Sequence, residues 1–531
     1  MPLQVSAESG GRTPLAFIFL DSNVSSTGEN GNASDRGTNA SRFRVSGGQA
    51  LGTEILIDGA STRRTQNGTF FSEVAPGPNA FQEFTISTSS FSAEFGNSSG
   101  GVVNFTLKSG TNDFHGEVYN LLRNEKLNAN SFYNKLEGRP RDRDNQNNYG
   151  FNLGGPIPFL AFGEGGPFAK LYRNQAFFFF NYEGYRFRQG ENVVVTVPTE
   201  RMRNGDFSEL LTDPYILQFY GGPVRIYNPR IPIGQRNTPF AGNIVPLANR
   251  DPAGQAILQF FPLPNRPGVF RNYEASSVRP TDMNQYTIKT DFNLTDAQRL
   301  TVSWSHRKQE RVANYGGGFP RFPFPYIAQD VGFQSFESDF VRVQHNYSIT
   351  STILNHFNFG FNNYAVQNGN STYGFDTASL GIPANATLNS AFPRINFPGY
   401  GDPVTSGDPR AYQNIGSTFF NDDLTDRTYE FSDFVTIVRG RHTLKVGANV
   451  RQSKYTVRQR IDPGGTFNFR NDQTSGNLAN GDFDPRSGFP IASLITGATE
   501  FAFNFNNSID PVFKQLTHSY FIQDDIKLTQ K

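Results

Sequence analysis

The chain has 531 residues, with 48 Lys+Arg against 47 Asp+Glu, a formal net charge of +1, 36% hydrophobic residues, 53 Phe and no Cys. Balanced charge removes the basic face that a nucleic-acid partner needs, and a 14% aromatic content is the opposite of a disordered composition. No run approaches the roughly 18 apolar residues of a membrane helix, and the lack of Cys excludes disulfides, thiolate metal sites and cysteine nucleophiles.

The opening Met1-Pro2-Leu3-Gln4 has neither the basic stretch nor the apolar core of a secretory signal, and the remainder of the chain leads us to expect a beginning further upstream. Residues 21–42 are rich in Ser, Asn and Gly. Glu54-Ile55-Leu56-Ile57-Asp58-Gly59 reads as a short buried strand ending in a turn, followed by short strands at 83–88 and 101–108 with Gly-rich connections. Residues 1–111 are therefore expected to form a small α/β domain.

From residue 112 onward the pattern is alternation with period two. Candidate strands lie at 114–122, 147–154 and 174–185. Tyr286/Ile288/Phe292/Leu294, Leu300/Val302/Trp304, Val341/Val343/Tyr347/Ile349, Phe357/Phe359/Phe361, Tyr429/Phe431/Val435/Ile437, Leu444/Val446/Val450 and Leu516/Tyr520/Ile522 alternate with Lys, Arg, Asp, Gln, Asn, Ser and Thr. The expectation is about ten strands of roughly 9–13 residues, a length suited to tilted membrane-spanning strands. Links near 294–299, 349–353 and Arg439-Gly440 are only about two to four residues, and they alternate with links of roughly 24 to 98 residues, as in an up-and-down membrane barrel. The segment 155–173 breaks the alternation. The fold class is thus mostly β: a small α/β domain, then the first part of an antiparallel transmembrane β-barrel over 112–531.

Specific residues carry a resemblance. Phe81-Gln82-Glu83-Phe84, Phe91-Ser92-Ala93-Glu94-Phe95-Gly96, Ser99-Gly100-Gly101-Val102-Val103-Asn104 and Lys108-Ser109-Gly110-Thr111-Asn112-Asp113-Phe114-His115-Gly116 together resemble the plug-to-barrel junction of TonB-dependent outer-membrane receptors, most of all their Oar-like branch. Asp58-Gly59, Phe177 to Gly184 and Ser519 to Asp525 match that branch in order. The resemblance implies a plug (1–111) inside a barrel of about 22 strands, of which about ten are expected here, so that the chain reads as a fragment. It implies TonB as partner, through a segment missing here, together with outer-membrane lipid and an unknown extracellular ligand, with no cofactor and no nucleic acid. It implies plug residues Asp58, Gly59, Glu94, Gly96, Gly100, Gly101 and Asn104 in structural or gating roles.

The remaining candidates weigh less. Gly96 to Gly101 lacks the Lys-Ser/Thr of a phosphate loop. No HExxH and no GxSxG motif is present, so neither a zinc enzyme nor a serine hydrolase has support. His345 and His356 could share a metal across the 349–353 turn, but a register pairing Val343 with Phe359 and His345 with Phe357 puts them on opposite faces. No metal ligand is assigned. The loop aromatics Phe319, Phe322, Phe324 and Tyr326 are the candidate ligand contacts. Charged residues in the inward phase, Lys289, Asp291, Arg342 and Lys445, are expected to meet the plug. The function expected is TonB-dependent active transport across the outer membrane, not enzymatic; the alternatives are a passive porin-like channel or a secreted β-rich adhesion or carbohydrate-binding protein.

Overall fold

The computed structural model describes residues 12–26, 43–49, 52–65, 68–69, 75–88, 91–96, 98–136, 138–160, 169–171, 173–314, 331–370, 372, 374–382, 391–416, 421–460, 464–504 and 510–529. Near the start, β1 (Glu54–Ile57), β2 (Phe81–Ser87) and β3 (Val102–Leu107) join the two-residue strand Ala60–Ser61 in a four-stranded sheet, with β3 between β1 and β2. β1 is parallel to β3 and β2 antiparallel to it. Ile55, Ile57, Val103, Phe105 and Leu107 pack with Leu15 and Ile18 of the 3₁₀ turn Pro14–Leu20, giving this small unit its own apolar centre.

The second unit is a wall of ten strands: β4 (His115–Arg123), β5 (Asp144–Pro156), β6 (Ala176–Val195), β7 (Tyr273–Thr295), β8 (Gln298–Asn314), β9 (Val331–Thr350), β10 (Ile353–Asn370), β11 (Asn421–Arg439), β12 (His442–Arg460) and β13 (Val512–Ile526). Each pairs antiparallel with its sequence neighbour, forming one open sheet with edges at β4 and β13. The expected pairs Val343 with Phe359 and His345 with Phe357 are present; near the turn a bulge then sets Thr350, rather than Ile349, opposite Ile353. The segment that broke the alternation of link lengths holds a small extra ladder, Pro158–Leu160 with Ala169–Leu171.

The strands are longer than expected, up to 23 residues in β7. The reason is visible in the outward-facing side chains. The cross-strand rung Ile288–Trp304–Val341–Phe361–Tyr429 is apolar and aromatic, whereas the adjacent rung Tyr286–His306–Asp339–Asn363–Arg427–Lys454 is largely polar. Toward the short turns the outward positions stay mostly apolar. Toward the long links they carry Arg186, Arg188, Asp282, Lys308, Glu310 and Glu337. Hydrophobic alternation therefore marks only the part of each strand whose outward face is apolar, while the hydrogen-bonded ladder continues past it.

Three of the long links pack together through their described residues. Segments from 196–272, 371–420 and 461–511 share one core that includes Val197, Met202, Phe207, Ile257, Phe392, Ile395, Tyr412, Phe489 and Leu494. A small sheet of Arg394–Asn396, Thr466–Asn468 and Phe501–Phe503 joins two of the links. Two helices bind all this to the third link: Pro252–Leu258 lies so close to Pro490–Ile495 that a Cβ on Gly254 would fall 2.1 Å from the Leu494 carbonyl oxygen. The Asp251 amide donates to the Ile495 carbonyl at 2.8 Å, and the Tyr227 amide to that of Thr474 at 2.9 Å. The result is a packed cap continuous with the upper end of β6. Truncating Phe489, which is fully buried at its centre, to Ala should cost about 3–5 kcal/mol. The expected readout is faster proteolysis within 461–511, with the ten-stranded wall unchanged.

Candidate functional site

The small unit meets the wall along one rung of the sheet. Lys289, Ser303, Arg342, Gly360, Glu430 and Arg451 stand directly opposite one another across β7 to β12, all facing inward. The turn that follows β1 lies against this rung. Asp58 and Gly59 form the turn with φ of +46° and +75°. Glycine suits the second position, and the first is a left-handed position that Asp tolerates. The Asp58 carboxylate accepts from the Leu107 amide at 3.0 Å and from Lys289 Nζ at 3.4 Å, while Lys289 also donates to the Leu107 carbonyl at 3.0 Å. Asn104 closes the turn from inside, its Oδ1 accepting from the Gly59 amide at 3.1 Å.

Arg342, fully enclosed, donates through Nε to the Ile57 carbonyl at 3.2 Å and through Nη2 to the Ser61 carbonyl at 3.3 Å. Asn362 also donates to the Ser61 carbonyl, and Asn358 to that of Asp58. Gly360 leaves room for the chain to approach, since a Cβ there would stand 2.8 Å from Ala60 Cβ. Next along the rung, Glu430 accepts from the Ser61 amide at 3.0 Å, and Arg451 bridges Glu430 (3.1 Å) to Glu54 of β1 (3.3 Å). Asp426, two residues before Thr428 on the same face of β11, takes the Thr65 amide at 2.7 Å.

Two further contacts lie away from the rung. Arg12 reaches Glu183 of β6 at 3.5 Å, and Glu183 also accepts from the Tyr119 hydroxyl at 3.0 Å and from Asn148 Nδ2 at 2.8 Å. Lys445 pairs with Glu94, and Gln523 accepts from the Ala93 amide at 2.8 Å. Between the turn and β10 to β13 lies a cavity of about 450 Å³, lined in part by Arg63, Glu94, His356, Glu430, Arg451 and Gln515. Burial pushes the Asp58 carboxyl above the ordinary carboxylate range, outweighing the opposite pull of Lys289. Burial likewise raises Glu54 against the pull of Arg451.

Of the residues singled out in the sequence, Asp58, Gly59, Glu94 and Asn104 are thus in the interface or build it, with Lys289, Arg342 and Lys445 opposite. Asp291 faces inward as expected, but it binds wall residues Arg299 (2.9 Å) and Thr301 (2.8 Å) rather than the small unit. Gly101 has φ of +120°, and a Cβ there would lie 2.8 Å from the Ser87 carbonyl oxygen, whereas Gly96 has open space around it. Gly100 sits where Gly48 passes, a Cβ on Gly48 falling 2.4 Å from its Cα. Phe319, Phe322, Phe324 and Tyr326 lie outside the described residues. His345 and His356 are on opposite faces, bonded to Gln298 and Asn346 respectively. Arg12, Glu54, Glu183, Asp426, Glu430 and Arg451 were missed. The inward phase of Glu183, Asp426, Glu430 and Arg451 was readable in the alternation, but the pairing joins segments as much as 397 residues apart.

The family model described as "Outer membrane beta barrel domain" matches residues 106–531. No curated protein matches the chain in sequence. Among solved structures, a mutant of the ferric enterobactin receptor of Pseudomonas aeruginosa is similar at 13% identity over 98% of this chain and 53% of its own, with a TM-score of 0.45. The ferric preacinetobactin receptor of Acinetobacter baumannii is similar at 9% identity over 96% of this chain and 58% of its own, with a TM-score of 0.40. The ferric-catecholate import receptor Fiu of E. coli K12 is similar at 13% identity over 91% of this chain and 62% of its own, with a TM-score of 0.36. The chain spans a little over half the length of these receptors.

Removing one member of a buried ion pair leaves the other charge uncompensated, at a cost of about 3–5 kcal/mol. Lys289→Met should therefore lower the urea midpoint for release of the small unit, followed by protease accessibility of residues 43–65, and Lys289→Met with Asp58→Asn should recover part of the loss. The raised carboxyl values carry a sign. Their contribution to docking is complete below about pH 4, the ordinary carboxylate value, and is lost as pH rises through the raised value. The urea midpoint should fall as pH climbs from about 4 toward neutrality, and Asp58→Asn, which removes the titrating group facing Lys289 and Arg342, should flatten that slope.

Proposed function

The chain belongs to the outer membrane β-barrel family and so works in that membrane; on this premise we propose that it is the plug and adjoining wall of a TonB-dependent active transporter. An external ligand enters beneath the cap, and the plug, residues 1–111, gates its passage through the barrel. Energy arrives through TonB, and no covalent bond is made or broken.

The observation that supports this reading is the nature of the rung. A plug held only by an apolar core would expose that core to water when it moved. Here the turn at 54–65 is held by Lys289, Arg342, Glu430, Arg451 and Asp426, all of which regain hydration when contact is lost. Taking charges out of water largely offsets their mutual attraction, so a docked ionic interface is specific in geometry yet only modestly favourable overall. That is what a pulled gate requires. Apolar contacts with Phe336, Phe340, Tyr364 and Leu424 extend the plug's own core and return it to the same seat.

A passive channel needs no such interface, since a plug that never moves gains more from apolar packing. A secreted soluble protein is at odds with a wall whose outward face is apolar across eight strands. These 531 residues contain no Cys, so an introduced thiol is the only one among them, and labelling is counted on the peptide that carries it. Ser61→Cys sits at a contact that is 1% exposed. In cells making the full-length protein, maleimide labelling of this variant should rise when the membrane is energised and fall when TonB is deleted or an uncoupler is added. Equal labelling in all three conditions would favour the passive channel.

A further inference from the structure

Outside the barrel wall, on the first polar rung past the aromatic border, three side chains converge. His306 of β8 stands directly opposite Asp339 of β9, with Glu337 two residues along on the same face. His306 Nδ1 lies 2.9 Å from Asp339 Oδ1, and one ligand atom from each of the three residues falls within 4.8 Å of the others. We propose that His306, Glu337 and Asp339 form a site for a divalent transition-metal ion on the outer surface of the wall.

Three features go beyond a chance cluster. The donor set is mixed, one imidazole nitrogen with two carboxylates, which suits a borderline ion such as Zn²⁺ better than Ca²⁺ or Mg²⁺. The supporting groups already orient it: Trp304 Nε1 donates to Asp339 Oδ1 at 3.2 Å, Asn363 Nδ2 to Oδ2 at 3.4 Å, and the Tyr286 and Trp304 rings stack on His306 at 6.4 and 5.8 Å. Such outer contacts fix the geometry of metal ligands. The third feature is charge. Glu337 and Asp339 stand two residues apart on one face of β9, so their carboxylates repel each other. The cation facing Glu337 in the ladder is Lys308, and it is drawn to Glu310 at 2.8 Å, leaving Glu337 with no hydrogen-bond partner among the described residues. A divalent ion removes that repulsion, and water completes its coordination on the open side.

The test is equilibrium dialysis of the purified full chain in detergent against Zn²⁺, with bound metal counted. One equivalent should bind, its affinity lowered at least tenfold by His306→Ala and by Asp339→Asn, and undisturbed by excess Ca²⁺. Glu337→Gln alters a side chain without a hydrogen-bond partner, so it should keep the fold while weakening Zn²⁺ severalfold, and it carries the test if the other variants fail to fold. Affinity unchanged in all three variants, loss instead in His345→Ala or His442→Ala, or displacement by Ca²⁺ would each overturn the proposal.

Discussion

The wall is a sheet with its polarity turned inside out, and the rest of the molecule follows from that. Its inward face buries Asn181, Glu183, Gln285, Thr287, Lys289, Ser303 and Arg342, while the outward face along the same strands carries Phe, Tyr, Trp, Val and Ile. Buried polar groups must be paired or hydrated. Whatever fills the inside therefore has to offer backbone and side-chain partners in register with the wall, and the turn after β1 does so at one rung of six residues. Arg342 alone takes two carbonyls of that segment, and the pair Glu430 and Arg451 takes an amide and a carboxylate.

The same logic explains where the apolar material went. In a soluble protein the hydrophobic core would lie between layers; here most of the wall's apolar surface faces outward, so each compact core has to be built elsewhere. There are two. One lies within the small unit and extends onto Phe336, Phe340 and Tyr364 of the wall; the other lies in the cap. The cap core is assembled from links that are far apart in sequence. Packed together they leave Phe489, Ile491, Leu494 and Ile495 fully enclosed, so the external surface is a shaped body rather than a set of separate loops.

Legibility differed by element for physical reasons. Strand existence and the expected register of β9 against β10 were readable, because alternation repeats every two residues and a tight turn fixes pairing. Strand length was not: past the aromatic border the outward face turns polar while Phe336, Phe340, Tyr364 and Leu424 face inward, so the signal of an apolar outward face stops although the ladder does not. Lys289, Arg342 and Lys445 were identifiable as inward charges from phase alone, whereas Asp291 shared that phase and spent its charge on neighbours in the wall. Glu54, Glu430 and Arg451 were invisible as a group, since nothing local says that β1 will lie against β11 and β12. The cluster of His306 with Glu337 and Asp339 depended on the register of β8 against β9, which no short turn fixes.

Sequence by itself determined the class of object: period-two alternation and alternating link lengths specify a β wall of the membrane-barrel kind, and short strands with Gly-rich connections precede it. Those are local properties, set by which way each side chain points and by how few residues a turn needs. The tertiary structure decided which inward charges face one another, which rung meets the small unit, and that three distant links close into one cap. Such pairings are long-range, and they are selected only when desolvated charges and apolar side chains find partners that the chain brings together by folding.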